Sequence, residues 1–349
     1  MNSLIKKIIE KIKPVLRDPL CLKKWDSPDH YGHRLEDSNR LSVRVSGSMR
    51  RDLYSYNGDA FMFTQDIYAG IMPFMHYRGK REAYPTKVMP ANKEKEQMIC
   101  EGISDRGNAY FIEDALCDFV RKTAQILCTD GIVFYEIIYD KDENGQIESF
   151  ELETIRSKYF FRFLGNYYQI IPWWEAKRSH VRVQLVKIPK DKILRIDIPL
   201  ELGGGRKLKR VIKRLWKLSK EIIPIFQMEA MENDKSIGFD MEKFSMAKYL
   251  EIAKVTRDFG WSQRQRAESS SITEYYLILR HLRTKKAEAL IREKIILELN
   301  NTLNGLVLNL GVKVSMDNLF TLRDVEKQEE ILKKGNVTFV DIVNAIKLE

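Results

Sequence analysis

The sequence predicts an α+β fold: one helix followed by a mainly antiparallel sheet, and then a second half that is overwhelmingly helical. Three observations carry that expectation. Apolar residues recur at helical spacing from Phe111 onward. Short β-branched and aromatic runs, separated by turn residues, follow up to residue 200. Beyond Pro199 the strand pattern stops, and long stretches of helix formers take over.

The elements follow in order. Ile5, Ile8, Ile9 and Ile12, interrupted by Lys6, Lys7, Lys11 and Lys13, suggest an amphipathic helix ended by Pro14, then a polar arm to residue 40. Residues 41–110 show turn chemistry at Asn57-Gly58 and Arg78-Gly79 but no assignable element. Ile112, Ala115, Leu116, Phe119, Thr123, Ile126 and Leu127 define one face of a helix over 111–128, which Asp130-Gly131 stops. Ile132 to Tyr139 is a strand, Asp142-Glu143-Asn144-Gly145 a hairpin turn, and Ile147 to Leu152 the returning strand. Further strands are expected at Tyr159–Phe163, Tyr167–Ile171, Val181–Val186 and Ile193–Ile198.

Gly203-Gly204-Gly205 is expected to be a flexible break between sheet and helix. Glycines ahead of a helix can also cradle phosphate, but no Gly-Lys-Ser/Thr closes the pattern, so the hinge is preferred. Two long helices over 207–231 and 241–262 follow, joined through Asn233-Asp234-Lys235-Ser236. Gln263 to Ser271 is a polar, Ser-rich loop. Residues 273–303 form one or two helices with Leu290, Ile291, Ile295, Leu299 and Leu303 on a shared face. Leu322 to Lys333 is a helix closed by Gly335-Asn336, and Thr338 caps a last helix to Ile346. That last helix could be mistaken for a DNA-reading element, but Phe339, Val340, Ile342 and Val343 make it a helix to be buried.

A chain of 349 residues, 44% hydrophobic and 31% charged, can build a sizeable core. No run of eighteen apolar residues exists, so no membrane is expected as a partner. Cys21, Cys100, Cys117 and Cys128 match no zinc spacing and are expected as reduced, buried thiols. The five histidines, His30, His33, His76, His180 and His281, are scattered, and no metal site is expected. Asp140, Asp142 and Glu143 resemble a cation loop only superficially, since they fall in the hairpin turn. No hydrolase elbow or phosphate loop is legible, so neither a catalytic residue nor a cofactor is assigned.

The net charge of +10 favours an anionic partner. It concentrates in Arg206, Lys207, Lys209, Arg210, Lys213, Arg214, Lys217 and Lys220: eight cations in fifteen residues with no acid among them. Set around Leu208, Ile212, Leu215 and Trp216, they could neutralise phosphates without regard to base sequence. The plainer account of such a run is a solvated helix face.

The succession of features resembles the portal protein family of tailed phages. The resemblance rests on Thr129-Asp130-Gly131 followed by Val133-Phe134-Tyr135-Glu136-Ile137, the hairpin return Gly145 to Leu152, and Tyr167 to Pro172. It continues through Ile188-Pro189-Lys190-Asp191-Lys192-Ile193-Leu194-Arg195-Ile196, and through Leu322-Arg323-Asp324 to Thr338. It covers about residues 111–346 and is one of order, with no invariant motif. The chain is short for that family and ends where larger portals continue into a crown.

The resemblance implies a portal-like architecture. Residues 1–40 would be an arm, 41–200 an α/β wing, 201–272 the stem helices with a short clip and tunnel loop, and 273–349 a helical part on the wing. The tunnel loop would present Gln263, Arg264, Arg266, Ser269, Ser270 and Ser271 to a channel. It further implies a non-enzymatic homo-oligomeric ring of about a dozen subunits, threaded by double-stranded DNA bound non-specifically. Capsid protein, adaptor and terminase would be its partners, in a virion assembled in the host cytoplasm. Two other classes compete: a monomeric, basic nucleic-acid-binding or replication accessory protein using Lys207–Lys220, and, further off, a nuclease or nucleotidyl-transfer enzyme.

Overall fold

The structure is a computed structural model that describes residues 40–43, 45, 58–72, 84–104, 111–172, 175, 185–233, 241–261, 273–335 and 338–346. The expected N-terminal helix and arm, the turns at Asn57 and Arg78-Gly79, residues 181–184, the 234–240 link and the whole 263–271 loop lie outside these residues.

In chain order the elements are α1 (Asp59–Ile71), β1 (Thr86–Met89), α2 (Lys93–Ile103), α3 (Ile112–Asp130), β2 (Ile132–Lys141) and β3 (Ile147–Ile155). Next come β4 (Phe160–Phe163), β5 (Asn166–Ile170), β6 (Leu185–Ile188), β7 (Ile193–Asp197), α4 (Gly204–Asn233) and α5 (Met241–Val255). The chain closes with α6 (Glu274–Leu303), β8 (Lys313–Met316), α7 (Leu322–Lys334) and α8 (Phe339–Ile346). The fold is thus a mixture of helices and antiparallel sheet, as the sequence predicts.

The expected sheet is divided. The strands form two three-stranded antiparallel sheets, β3-β2-β7 and β4-β5-β6, and a separate β1-β8 pair. β2 explains the division, because it is buried on both faces. Val133, Tyr135 and Ile137 face the main core with α3, while Phe134 joins Phe160, Tyr167 and Ile188 of the smaller sheet. Phe160 stacks on Tyr167 with ring centroids 5.3 Å apart, and Phe134 meets Phe160 edge-on at 4.8 Å.

Glu136, at the middle of β2, is fully buried and accepts the backbone amides of Leu41 and Ser42 at 2.7 and 2.8 Å. Gln169 on β5 accepts the Val43 amide at 2.7 Å and donates to the Val43 carbonyl at 2.6 Å. Two side chains therefore satisfy a short extended segment that no ladder reaches, and that segment gives a buried carboxylate its donors.

α3 ends as predicted, with Gly131 in the left-handed region (φ 73°) donating to Leu127 O at 2.8 Å. The hairpin after β2 is held by Asp142, whose Oδ1 accepts from the amides of Asn144 and Gln146 at 3.0 and 2.7 Å. That is a turn's use of an aspartate. Burial pushes the Cys100 thiol up to about 11 and raises Cys128 as well; Cys100, Cys117 and Cys128 are free and buried, while Cys21 lies outside the described residues.

Three expectations need correction. The glycine triplet is a packed corner, not a flexible break: a Cβ on Gly205 would stand 2.5 Å from Gly131 O, so the two backbones touch where α4 leaves the sheet. The Gly203 and Gly204 amides are used on Leu200 O and Pro199 O at 2.7 and 3.1 Å, which leaves neither for a phosphate. α5 ends at Val255, not at 262. There Thr256 bonds back to Ile252 O at 2.7 Å, and the chain turns through Gly260 (φ 68°) against Arg280 O. Finally α8 is not wholly buried: Ile342 is inaccessible, whereas Val340 is 60% exposed.

Elements stand where none was assigned within 41–110, namely α1, β1 and α2, and β8 pairs with β1 from a distant part of the chain. Residues 273–303 are one continuous helix, N-capped by Thr273. The last two helices begin in the capping geometry of Thr and Asp three apart: Thr321 with Asp324, and Thr338 with Asp341.

Candidate nucleic-acid interface

The cation run lies on the first half of α4, and the local sequence explains its display. Leu208, Val211, Ile212 and Leu215 recur at i, i+3, i+4 and i+7 and are buried in the main core. Helical geometry then turns Arg206, Lys209, Arg210, Lys213, Arg214 and Lys217 to the opposite side, where all six are exposed. From Arg206 to Lys217, twelve residues, that stripe runs about 16 Å. A comparable length of duplex DNA carries on the order of ten phosphates.

The eight cations do not share one environment. Lys207 is half-buried and forms an ion pair with Asp258 at 2.7 Å, across to the turn after α5. Its stem also lies over Gly203, where a Cβ would come within 2.2 Å of Lys207 Cδ. It therefore serves as a brace more than as part of the stripe. Arg206, Arg210, Lys213 and Arg214 have no carboxylate partner among the described residues. The side chain of Lys220 lies outside them.

Below the stripe the helix is anchored by polar contacts. Ser219 Oγ lies 3.1 Å from both Leu215 O and Asp59 Oδ2, and Lys248 Nζ of α5 reaches the same buried Asp59 carboxylate at 3.0 Å. α4, α5 and the start of α1 are thus locked together under a face left entirely cationic.

Gln263, Arg264, Arg266 and Ser269 to Ser271 all fall outside the described residues, so they cannot be set beside the stripe. The two ends of that loop are fixed, however. Trp261 donates from Nε1 to Asp66 Oδ2 at 2.9 Å and packs edge-on against Phe63 at 5.5 Å. Thr273 caps α6 on the other side.

One cation cluster escapes a reading of the sequence. Lys254 and Arg257 from the α5 end, and Arg283 and Lys286 from α6, line a cleft of about 530 Å³. Each pair has i, i+3 spacing, visible in the chain as one helix face, but only the tertiary structure sets the two pairs opposite each other. Among the described residues no group of three or more His, Cys, Asp or Glu is placed to hold a metal ion, and no helix is long and apolar enough to cross a membrane.

No family model and no curated protein matches this chain. Among solved structures it is similar to an HK97 family phage portal protein from Corynebacterium diphtheriae, at 9% identity and a TM-score of 0.37, over 78% of this chain and 97% of that one. A TM-score of that size does not by itself define a common fold.

Proposed function

We propose that this chain is a portal protein, a ring-forming subunit at a capsid vertex through which double-stranded DNA passes during packaging and ejection. The observation that carries the reading is the exposed, acid-free cation stripe on the first half of the 30-residue helix α4, with α5 packed beside it. Its support in the sequence is the portal-like succession of segments over residues 111–346. A channel for moving DNA needs contacts that are weak, replaceable and made to phosphates, because base contacts would stall the strand. An exposed stripe of arginines and lysines, with no acid in its sequence, meets that requirement.

In this reading α4 and α5 are the stem, residues 41–200 with 273–349 the wing, the Asn233-to-Asp240 link a reduced clip, and 263–271 the tunnel loop. The ring holds about a dozen copies and meets capsid protein, adaptor and terminase in the virion. No cofactor or catalytic residue is required, since ATP hydrolysis belongs to the terminase. Negative-stain imaging with light scattering of the purified protein tests it. Closed rings are the expected result; monomer alone, across protein concentrations and salt, overturns it. Monomer that still binds DNA in a salt-dependent way would establish instead the second reading, a basic nucleic-acid-binding accessory protein, which the same stripe favours.

The tunnel loop has its own test. Arg264→Ala with Arg266→Ala should leave ring formation intact, since an exposed loop carries little stability, while reducing packaged DNA per particle. Equal DNA content removes the loop from the channel, and loss of rings makes it an assembly element.

A further inference from the structure

We infer that the cleft between the end of α5 and the middle of α6 is a phosphate-binding site, with Arg257 and Arg283 as its principal ligands. The inference does not rest on ring formation. The cleft, about 530 Å³, has Leu202 and Leu290 as its apolar lining and four cations around it.

Two of its three acids are already paired. Asp258 is held by Lys207 from outside the cleft at 2.7 Å, and Glu329 by Lys286 of the cleft itself at 3.3 Å. Lys254 keeps a loose, exposed contact with Glu251 at 3.6 Å. What remains facing the cleft is Glu201 at its edge and two guanidinium groups without a carboxylate partner among the described residues. Arg283 Nη1 makes only a long contact, 3.5 Å, to the backbone carbonyl of Arg257.

The walls are fixed before any ligand arrives. Arg280, 1% exposed, donates to Ala253 O at 2.9 Å, to Thr256 Oγ1 at 3.0 Å and to Trp261 O. That clamp holds the α5 terminus on α6. Gly260 allows the approach, because a Cβ there would stand 2.1 Å from Arg280 O. Lys254 and Arg257 are thereby set across from Arg283 and Lys286 without a loop having to order on binding.

Phosphate suits this arrangement better than a carboxylate. Arginine forks give parallel hydrogen bonds to oxyanions, and a tetrahedral dianion can accept from both walls at once. The volume exceeds that of one phosphate group, so the cleft has room for free inorganic phosphate, a monoester, or one unit of a nucleic-acid backbone.

Equilibrium dialysis of radiolabelled inorganic phosphate against the full chain, at constant ionic strength in chloride, tests the site. Saturable binding of one phosphate per chain is expected. Arg257→Gln, at an exposed position and so safe for folding, should weaken it about tenfold, as loss of a charge-assisted contact does. Arg257→Gln with Arg283→Gln should abolish it, whereas Arg210→Gln with Arg214→Gln, on the α4 stripe, should leave it unchanged. A short DNA duplex added as competitor separates the sources: displacement identifies backbone phosphate, and no displacement a small phosphate compound, with the site standing in either case. Uptake that rises linearly with concentration, indifference to Arg257→Gln, or an equal loss in the stripe variant overturns the inference.

Discussion

The two longest helices have 30 residues each and use their charges in opposite ways. α6 runs through the centre of the molecule and binds its charges inward. Arg280 and Arg292 are almost inaccessible, and both donate to main-chain carbonyls: Arg280 to Ala253 and Trp261, Arg292 to Ile71 and Phe320. Its lysines are paired, Lys285 with Glu288 at 3.1 Å and Lys294 with Glu298 at 2.6 Å. α4 does the reverse. It buries only aliphatic side chains in its first half and leaves the cations outside, with Lys207 tied to Asp258 at 2.7 Å. A charge taken inside must be satisfied or it destabilises the fold, whereas a charge left outside contributes little to stability. The buried arginines of α6 therefore serve architecture, with Arg283 and Lys286 left at the cleft, while the exposed cations of α4 are displayed towards a partner.

Breaking the first half of that comparison should have the largest effect. Arg280→Met keeps the bulk but removes the guanidinium donor from Ala253 O and leaves Trp261 O with the Thr256 hydroxyl alone, in a site that water does not reach. A destabilisation of about 3–5 kcal/mol is expected, from unsatisfied buried polar groups. Urea unfolding with equal slopes for both proteins measures it, and a change under 1 kcal/mol would mean that α6 does not depend on its buried arginine.

The corner that launches α4 comes next. Gly205→Ala places a methyl 2.5 Å from Gly131 O, against backbone on both sides, so the sheet and the helix must part. Overpacking of this kind costs about 1–3 kcal/mol. Thermal unfolding of Gly205→Ala checks it directly, because Gly205, unlike Gly203 and Gly204, has no left-handed φ to add a backbone cost of its own. A loss under about 0.5 kcal/mol would turn the corner back into an ordinary bend.

Those residues also mark where the sequence is legible. Helical period, turn chemistry and caps are local, so α3, the β2-β3 hairpin, α4 and the α7-α8 pair all stand close to where the pattern puts them. What the pattern leaves out is set by contacts distant in the chain. β1 and β8 are short strands that exist because each finds the other, Thr86 opposite Met316. Glu136 looks like a solvent-facing strand residue until the amides of Leu41 and Ser42 are found on it. The α5 end and the glycine corner depart from the sequence pattern for one reason: a guanidinium from α6 and a carbonyl from Gly131, neither nearby in sequence, decide them. The α4 stripe was fully legible because exposure on an amphipathic helix follows from its buried face, while the cleft cations needed two helices to meet.

The smallest effect on stability should come from the stripe, and there the comparison is sharpest. Arg210 and Arg214 are exposed, lie one turn apart and have no carboxylate partner among the described residues, so Arg210→Gln with Arg214→Gln should change unfolding by no more than about 0.5 kcal/mol. If the stripe meets phosphates, the same variant must bind duplex DNA more weakly. The salt dependence must also flatten, because each neutralised phosphate adds about 0.9 to the slope of log affinity against log salt. Two lost contacts predict a slope smaller by about 1.8, with equal loss on unrelated DNA sequences, since no base is read. Fluorescence anisotropy over a range of salt gives both quantities from one titration series. A stable variant with an unchanged slope would mean that α4 displays its cations to solvent alone. A variant that loses stability as well would mean that these arginines brace the fold as Arg280 does, and the contrast between the two helices would disappear.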